Sequence, residues 1–81
     1  MNGLDKKTLD AHYDAFSRLS RRQFQVAKGL GRNETARRIA KRLRLSPRTV
    51  EKHVEQVFRR TGFRSRVDVR AALVALGWVS A

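Results

Sequence analysis

Residues 45 to 54, Leu-Ser-Pro-Arg-Thr-Val-Glu-Lys-His-Val, carry the side chains with the most chemistry to offer, and that chemistry is recognition. Ser46 and Pro47 are a helix start. Serine caps the free backbone N–H groups, and proline suits the first helical position because its missing N–H would be unpaired there anyway. Val50, Val54, Val57 and Phe58 recur at helical spacing and form an apolar edge. Arg48, Lys52, Glu55, Gln56 and Arg59 lie opposite, with Glu51 and His53 on the flanks. Charged donors and acceptors along one side of a capped helix suit a nucleic-acid groove, where phosphates are held by cations and base edges by hydrogen bonds. The pattern predicts this helix over residues 47–61, stopped by Gly62, with Phe63 folding back as part of the cap.

Catalysis finds no comparable support. His12 and His53 lie far apart with no ligand spacing around them, and the chain has no cysteine. Ser20, Ser46 and Ser65 sit where helix caps are needed, and no glycine-rich phosphate loop is present. The reading is therefore a chain that is not an enzyme and that takes no metal and no cofactor.

Positioning a probe helix requires other helices, and the sequence predicts an all-α chain. A helix over 34–43 turns its Ala36, Ile39, Ala40 and Leu43 edge inward and its Arg37, Arg38, Lys41 and Arg42 edge outward. Arg44-Leu45 then makes the short turn into the probe helix, completing a helix-turn-helix. Such turns favour glycine for positive φ, so Arg44 implies either strain or another turn type. Upstream, Ser20 with Gln23 is a capping box for a helix over 20–30 ending at Gly31. A looser stripe of Leu4, Leu9, Tyr13 and Phe16 predicts a first helix over 4–17. The last helix, 66–76, starts at Ser65 with Asp68 in the acidic capping position and is apolar almost all round. Its outer face, with Val69, Leu73 and Leu76, is expected to pair with a second copy, because so apolar a surface is costly to expose on a small domain. The competing reading covers it with the first helix.

Composition narrows the partners. With 19 Lys and Arg against seven acids, the net charge is +12 on 81 residues. Between Arg32 and Arg66 twelve cations face three acids, so nine of the twelve net charges fall on the helix-turn-helix region. Charge of this density opposes compaction and points to a polyanionic partner. The basic segments lack the bulky apolar face needed to insert in a membrane surface. No apolar run approaches the roughly 18–20 residues of a spanning helix, and the N-terminus lacks a signal-peptide core, so a cytoplasmic location is expected.

Residues 19 to 70 resemble the LuxR/GerE-type helix-turn-helix DNA-binding domain. Leu19, Ser20, Arg22 and Val26 match the start of the family pattern; Ile39, Ala40 and Leu43 match its second helix. Ser46-Pro47-Arg48-Thr49-Val50 with His53-Val54 matches the third motif without a gap. Arg60 to Arg66 matches the ending, with Thr61 for the usual leucine. The chain departs at Gln23, Gln25 and Arg38, where the family usually has glutamates, at Asn33 for a glycine, and at Ala27 and Gly29 for larger apolar residues, so that the helix over 20–30 is expected to pack thinly. The resemblance implies a four-helix DNA-binding domain at 19–81 behind an N-terminal helical extension at 1–18. It also implies a recognition helix at 47–61 in the major groove, and dimerisation through the last helix on a pseudo-palindromic site in double-stranded DNA.

The resemblance further implies base reading by Glu51, Lys52 and Glu55. Lysine donates to guanine O6 or N7, and glutamate accepts from cytosine N4. Intrahelical pairing of these acids with Arg48, Lys52 or Arg59 is the competing explanation. Arg48, Thr49, Gln56, Arg59 and Arg60 are expected on phosphates, and His53 either on a phosphate or bonded within the domain. Nothing before residue 19 is long enough for a receiver or ligand-binding domain, so the chain resembles either a short stand-alone transcription regulator or an excised fragment; the first is expected, controlled by its amount or by a partner such as RNA polymerase or a regulatory protein. The rival readings are a sigma-factor region-4-like promoter-recognition module and a basic adaptor for RNA or protein.

Overall fold

The computed structural model describes residues 5–81 as five helices, with no strand among the described residues. They are α1 (Lys6–Ser17), α2 (Arg21–Gly31), α3 (Ala36–Leu43), α4 (Pro47–Thr61) and α5 (Arg66–Ala75). Leu4, placed in the first helix on sequence grounds, lies outside the described residues.

Local chemistry sets each start. Asp5 accepts from the Thr8 N–H (2.8 Å), and that hydrogen bond holds the Asp5 carboxyl below its ordinary value. Ser20 and Gln23 form a reciprocal capping box: Gln23 N–H donates to Ser20 Oγ (3.2 Å) and Ser20 N–H to Gln23 Oε1 (3.0 Å). Gln23 is buried, so a neutral amide in place of the family's glutamate avoids burying a charge there. Thr35 caps α3 by accepting from Arg38 N–H (3.1 Å), which starts the helix two residues later than expected. Glu34 stays outside the helix, paired with Arg42, while its carbonyl accepts from Arg66 Nη1 (3.1 Å). Ser65 caps α5, but the Asp68 carboxylate accepts from Arg64 N–H (3.3 Å), one residue before the cap.

Two glycines do different work from that expected. Gly31 is the last residue of α2 rather than the stop just beyond it, and the positive φ comes at Asn33 (63°). Asparagine is the residue best able to replace glycine in that conformation. A Cβ on Gly31 would lie 2.5 Å from Leu73 Cδ1, so glycine lets α5 approach. A Cβ on Gly29 would lie 2.7 Å from both Ile39 Cγ1 and Cδ1, so α2 is not thinly packed there but pressed against α3.

The core gathers Phe16, Val26, Ala27, Leu30, Ile39, Ala40, Val50, Val57, Val69, Ala72, Leu73 and Val79. α2 is central, packing on α4 and α5; α3 packs on α4, and α1 lies across α4 and α5. This overturns part of the dimer expectation. Val69 and Leu73 are fully buried in the chain's own core, and Leu76 is half-buried against it. Most of the apolar surface of α5 is therefore satisfied within one chain. What it leaves outside is Val67, 75% exposed, and Ala71 one turn on.

Candidate nucleic-acid interface

The presentation of α4 depends on how its two ends are fixed. Ser46 Oγ accepts from Thr49 N–H (3.1 Å) and donates to Thr49 Oγ1 (2.9 Å). At the far end Gly62 turns the chain with φ 81°, and its N–H donates to Phe58 carbonyl. Thr61, where the family has leucine, is buried with its hydroxyl satisfied twice: it donates to Val57 carbonyl (2.7 Å) and accepts from Phe63 N–H (3.2 Å). The apolar side of α4, with Val50 and Val57 wholly buried, seats it on α2 and α3. A helix pinned at both ends and along one side is a stiff rod about 22 Å long by its rise per residue.

All nine residues expected to touch DNA lie on this helix. Arg48, Glu51, Lys52, Glu55, Arg59 and Arg60 are exposed; Thr49, His53 and Gln56 are half-buried. Glu51, Lys52 and Glu55 join Arg48 around one shallow concavity of about 250 Å³. Residues 48, 51, 52, 55 and 59 are spaced so as to share one helix face. The ion pairs found among the described residues are Lys6 with Asp10 and Arg42 with Glu34. Glu51 and Glu55 are thus not spent on their helical neighbours, and their carboxylates remain open to an outside donor.

The turn into α4 resolves as the strained alternative. Arg44 adopts φ 59°, ψ 44°, while Leu45 N–H reaches back to Ala40 carbonyl (2.9 Å) to close α3. Cβ crowding in that conformation costs about 1–2 kcal/mol. The outer face of α3 exposes Arg37, Arg38, Lys41 and Arg42, and Arg37, Arg38 and Lys41 join Arg32 around a broader concavity of about 590 Å³. Two arginines that composition alone would assign to a polyanion are structural. Arg66 holds Glu34 carbonyl (3.1 Å), and Arg70 bridges Gly31 carbonyl at the end of α2 to Ala81 carbonyl (3.3 Å). No sequence signal marks these contacts, which join residues far apart in the chain.

Among the described residues no group of three or more His, Cys, Asp or Glu side chains is placed to hold a metal, and no helix is long and apolar enough to cross a membrane. What the fold and the face define is a helix-turn-helix with an exposed polar second helix. The family model of the bacterial regulatory proteins of the luxR family matches residues 17–73, more than half of the chain, and the chain belongs to that family. The match begins in the last turn of α1 and covers α2, α3, α4 and most of α5. No curated protein and no solved structure is significantly similar to the chain.

Proposed function

We propose that the protein is a sequence-specific regulator of transcription that places α4 in the major groove of double-stranded DNA. The observation that carries this reading is the exposed face of α4. It holds donors and acceptors free of ion pairs along one side of a helix fixed at both ends, within a chain of net charge +12. Lys52 donates to guanine, and Glu51 and Glu55 accept from cytosine amino groups. Arg48, Thr49, His53, Gln56, Arg59 and Arg60 hold phosphates and set the register. The two acids repel the backbone, so they lower affinity for random sequence and raise discrimination.

The proposed pairing of two copies uses the exposed side of α5, with Val67 and Ala71, in place of the buried Val69 and Leu73. Two exposed side chains fall far short of the interface of about 1,200–2,000 Å² that a stable dimer buries. Two copies therefore pair on adjacent half-sites rather than in free solution.

The test is selection of bound duplexes from a random pool at physiological salt, with single-stranded DNA and structured RNA as competitors. The reading predicts one motif containing G·C pairs, repeated with two-fold symmetry. Recovery without a motif, or a preference for RNA, would refute it.

A further inference from the structure

The segments outside the family match, α1 up to Phe16 and the chain after residue 73, come together at one place. Tyr13 and Trp78 meet edge to face with ring centroids 5.9 Å apart, and Phe24 meets Trp78 edge-on at 5.6 Å. Phe16 lies beneath, 6.1 Å from Trp78. Between these rings and Leu19 the surface opens into a concavity of about 260 Å³, with Arg21 also in its lining. Its floor, Phe16, is 3% exposed, but Tyr13 is 57% and Trp78 36% exposed. Of the three large apolar side chains exposed among the described residues, Tyr13, Val67 and Trp78, two stand around this one concavity, and clustered apolar surface of this kind marks interaction sites.

We propose that this concavity docks one apolar side chain of a partner protein, carried on a segment whose neighbouring residues are acidic. The volume falls below the roughly 300–1,000 Å³ of sites for small-molecule ligands, and it suits a single large side chain. Tyrosine, tryptophan and arginine are the residue types that dominate binding energy at protein interfaces. The acidic flank follows from charge. The lining contains no acid, and it includes Ser20 and Arg21, the cap and first residue of α2. The first turn of α2 holds no acidic residue, so the helix does not itself compensate the positive end of its dipole. Arg21 continues into a second cleft with Arg22 and Gln25, extending the cationic rim. A second copy of this chain, itself +12, is repelled by such a rim, which favours a different, acidic protein. No residue of α3 or α4 lines the concavity, so docking leaves the DNA-reading face free, and the proposal does not depend on that reading.

The experiment selects twelve-residue peptides from a random pool on the full chain and carries every enriched peptide forward. Each is titrated by fluorescence of Trp78, the chain's one tryptophan. The proposal predicts peptides sharing one large apolar residue beside Asp or Glu. It predicts that Tyr13→Ala and Arg21→Glu each weaken them about tenfold while melting temperature and duplex affinity hold for Tyr13→Ala. Arg21→Glu places an acid at a helix start, where it is tolerated by the fold, so it stands as a second probe. Failure to enrich a common motif would overturn the proposal, as would peptides that Arg21→Glu loses but Tyr13→Ala keeps, the mark of general charge capture. Self-association of the chain that Tyr13→Ala abolishes would assign the concavity to a second copy and overturn it equally.

Discussion

Lys52 and Arg59 share a helix face but are assigned different work, and mutation separates them. Lys52→Ala should cost about 1–3 kcal/mol on the selected duplex and relax one base position. Arg59→Ala should weaken all duplexes alike and lower the salt slope by about 1. Replacing Glu51 and Glu55 together by glutamine should raise affinity for random duplex while lowering the ratio of specific to random binding, measured at one fixed salt concentration. Arg44 gives a prediction about folding. Its left-handed backbone is strained, so Arg44→Gly should stabilise the domain by about 1 kcal/mol, a rise of about 4–8 °C in melting temperature, and Arg44→Ala should not. At this scale the sequence was informative where side chains act locally. The Ser46 cap, the Gly62 stop and the outward face of α4 could all be read from spacing. Glu34 could not, because its partners Arg42 and Arg66 are fixed only by the folded arrangement of α2, α3 and α5.

Elements were legible in proportion to their periodicity. α4 alternates clear apolar and polar sides, and its limits agree with the expectation. α5 is apolar at nearly every position and so has no phase to read, which is why Val69 and Leu73 were assigned outward and lie inward. α2 ends at Gly31, one residue later than expected, and there glycine marks close packing against Leu73 as well as the end of the helix. That reading is testable at Gly29. Alanine would gain up to about 1 kcal/mol of helix propensity, but two carbons of the fully buried Ile39 would have to move, at about 1–3 kcal/mol. The net expectation is a lower melting temperature for Gly29→Ala, whereas a thin contact would give a higher one. The start of α1 should respond to acid. The Asp5 carboxyl is held low by the Thr8 N–H, so its stabilising effect is present above the ordinary carboxylate pKa and is lost as pH falls through the lowered value. Helicity at residues 6–8 should fade first in an NMR pH titration.

At the scale of the whole molecule, the arrangement separates tasks. α3 and α4 carry the broadest cationic surface and the face proposed to read DNA, while α1, the start of α2 and the segment after α5 build an aromatic concavity that no residue of α3 or α4 lines. That concavity joins Tyr13 to Trp78, a contact between chain ends that no local pattern announces. The exposed side of α5 predicts cooperative occupation of adjacent half-sites. Val67→Glu should abolish that cooperativity in a binding titration while leaving affinity for a single half-site unchanged. The claim on which the account rests is that α4 reads sequence. The most direct measurement is the ratio of affinities for the selected duplex and a scrambled duplex of equal length at about 150 mM monovalent salt. The account predicts a ratio of at least about 10³, falling sharply in Lys52→Ala. A ratio near one, or a ratio that Lys52→Ala leaves untouched, would contradict it.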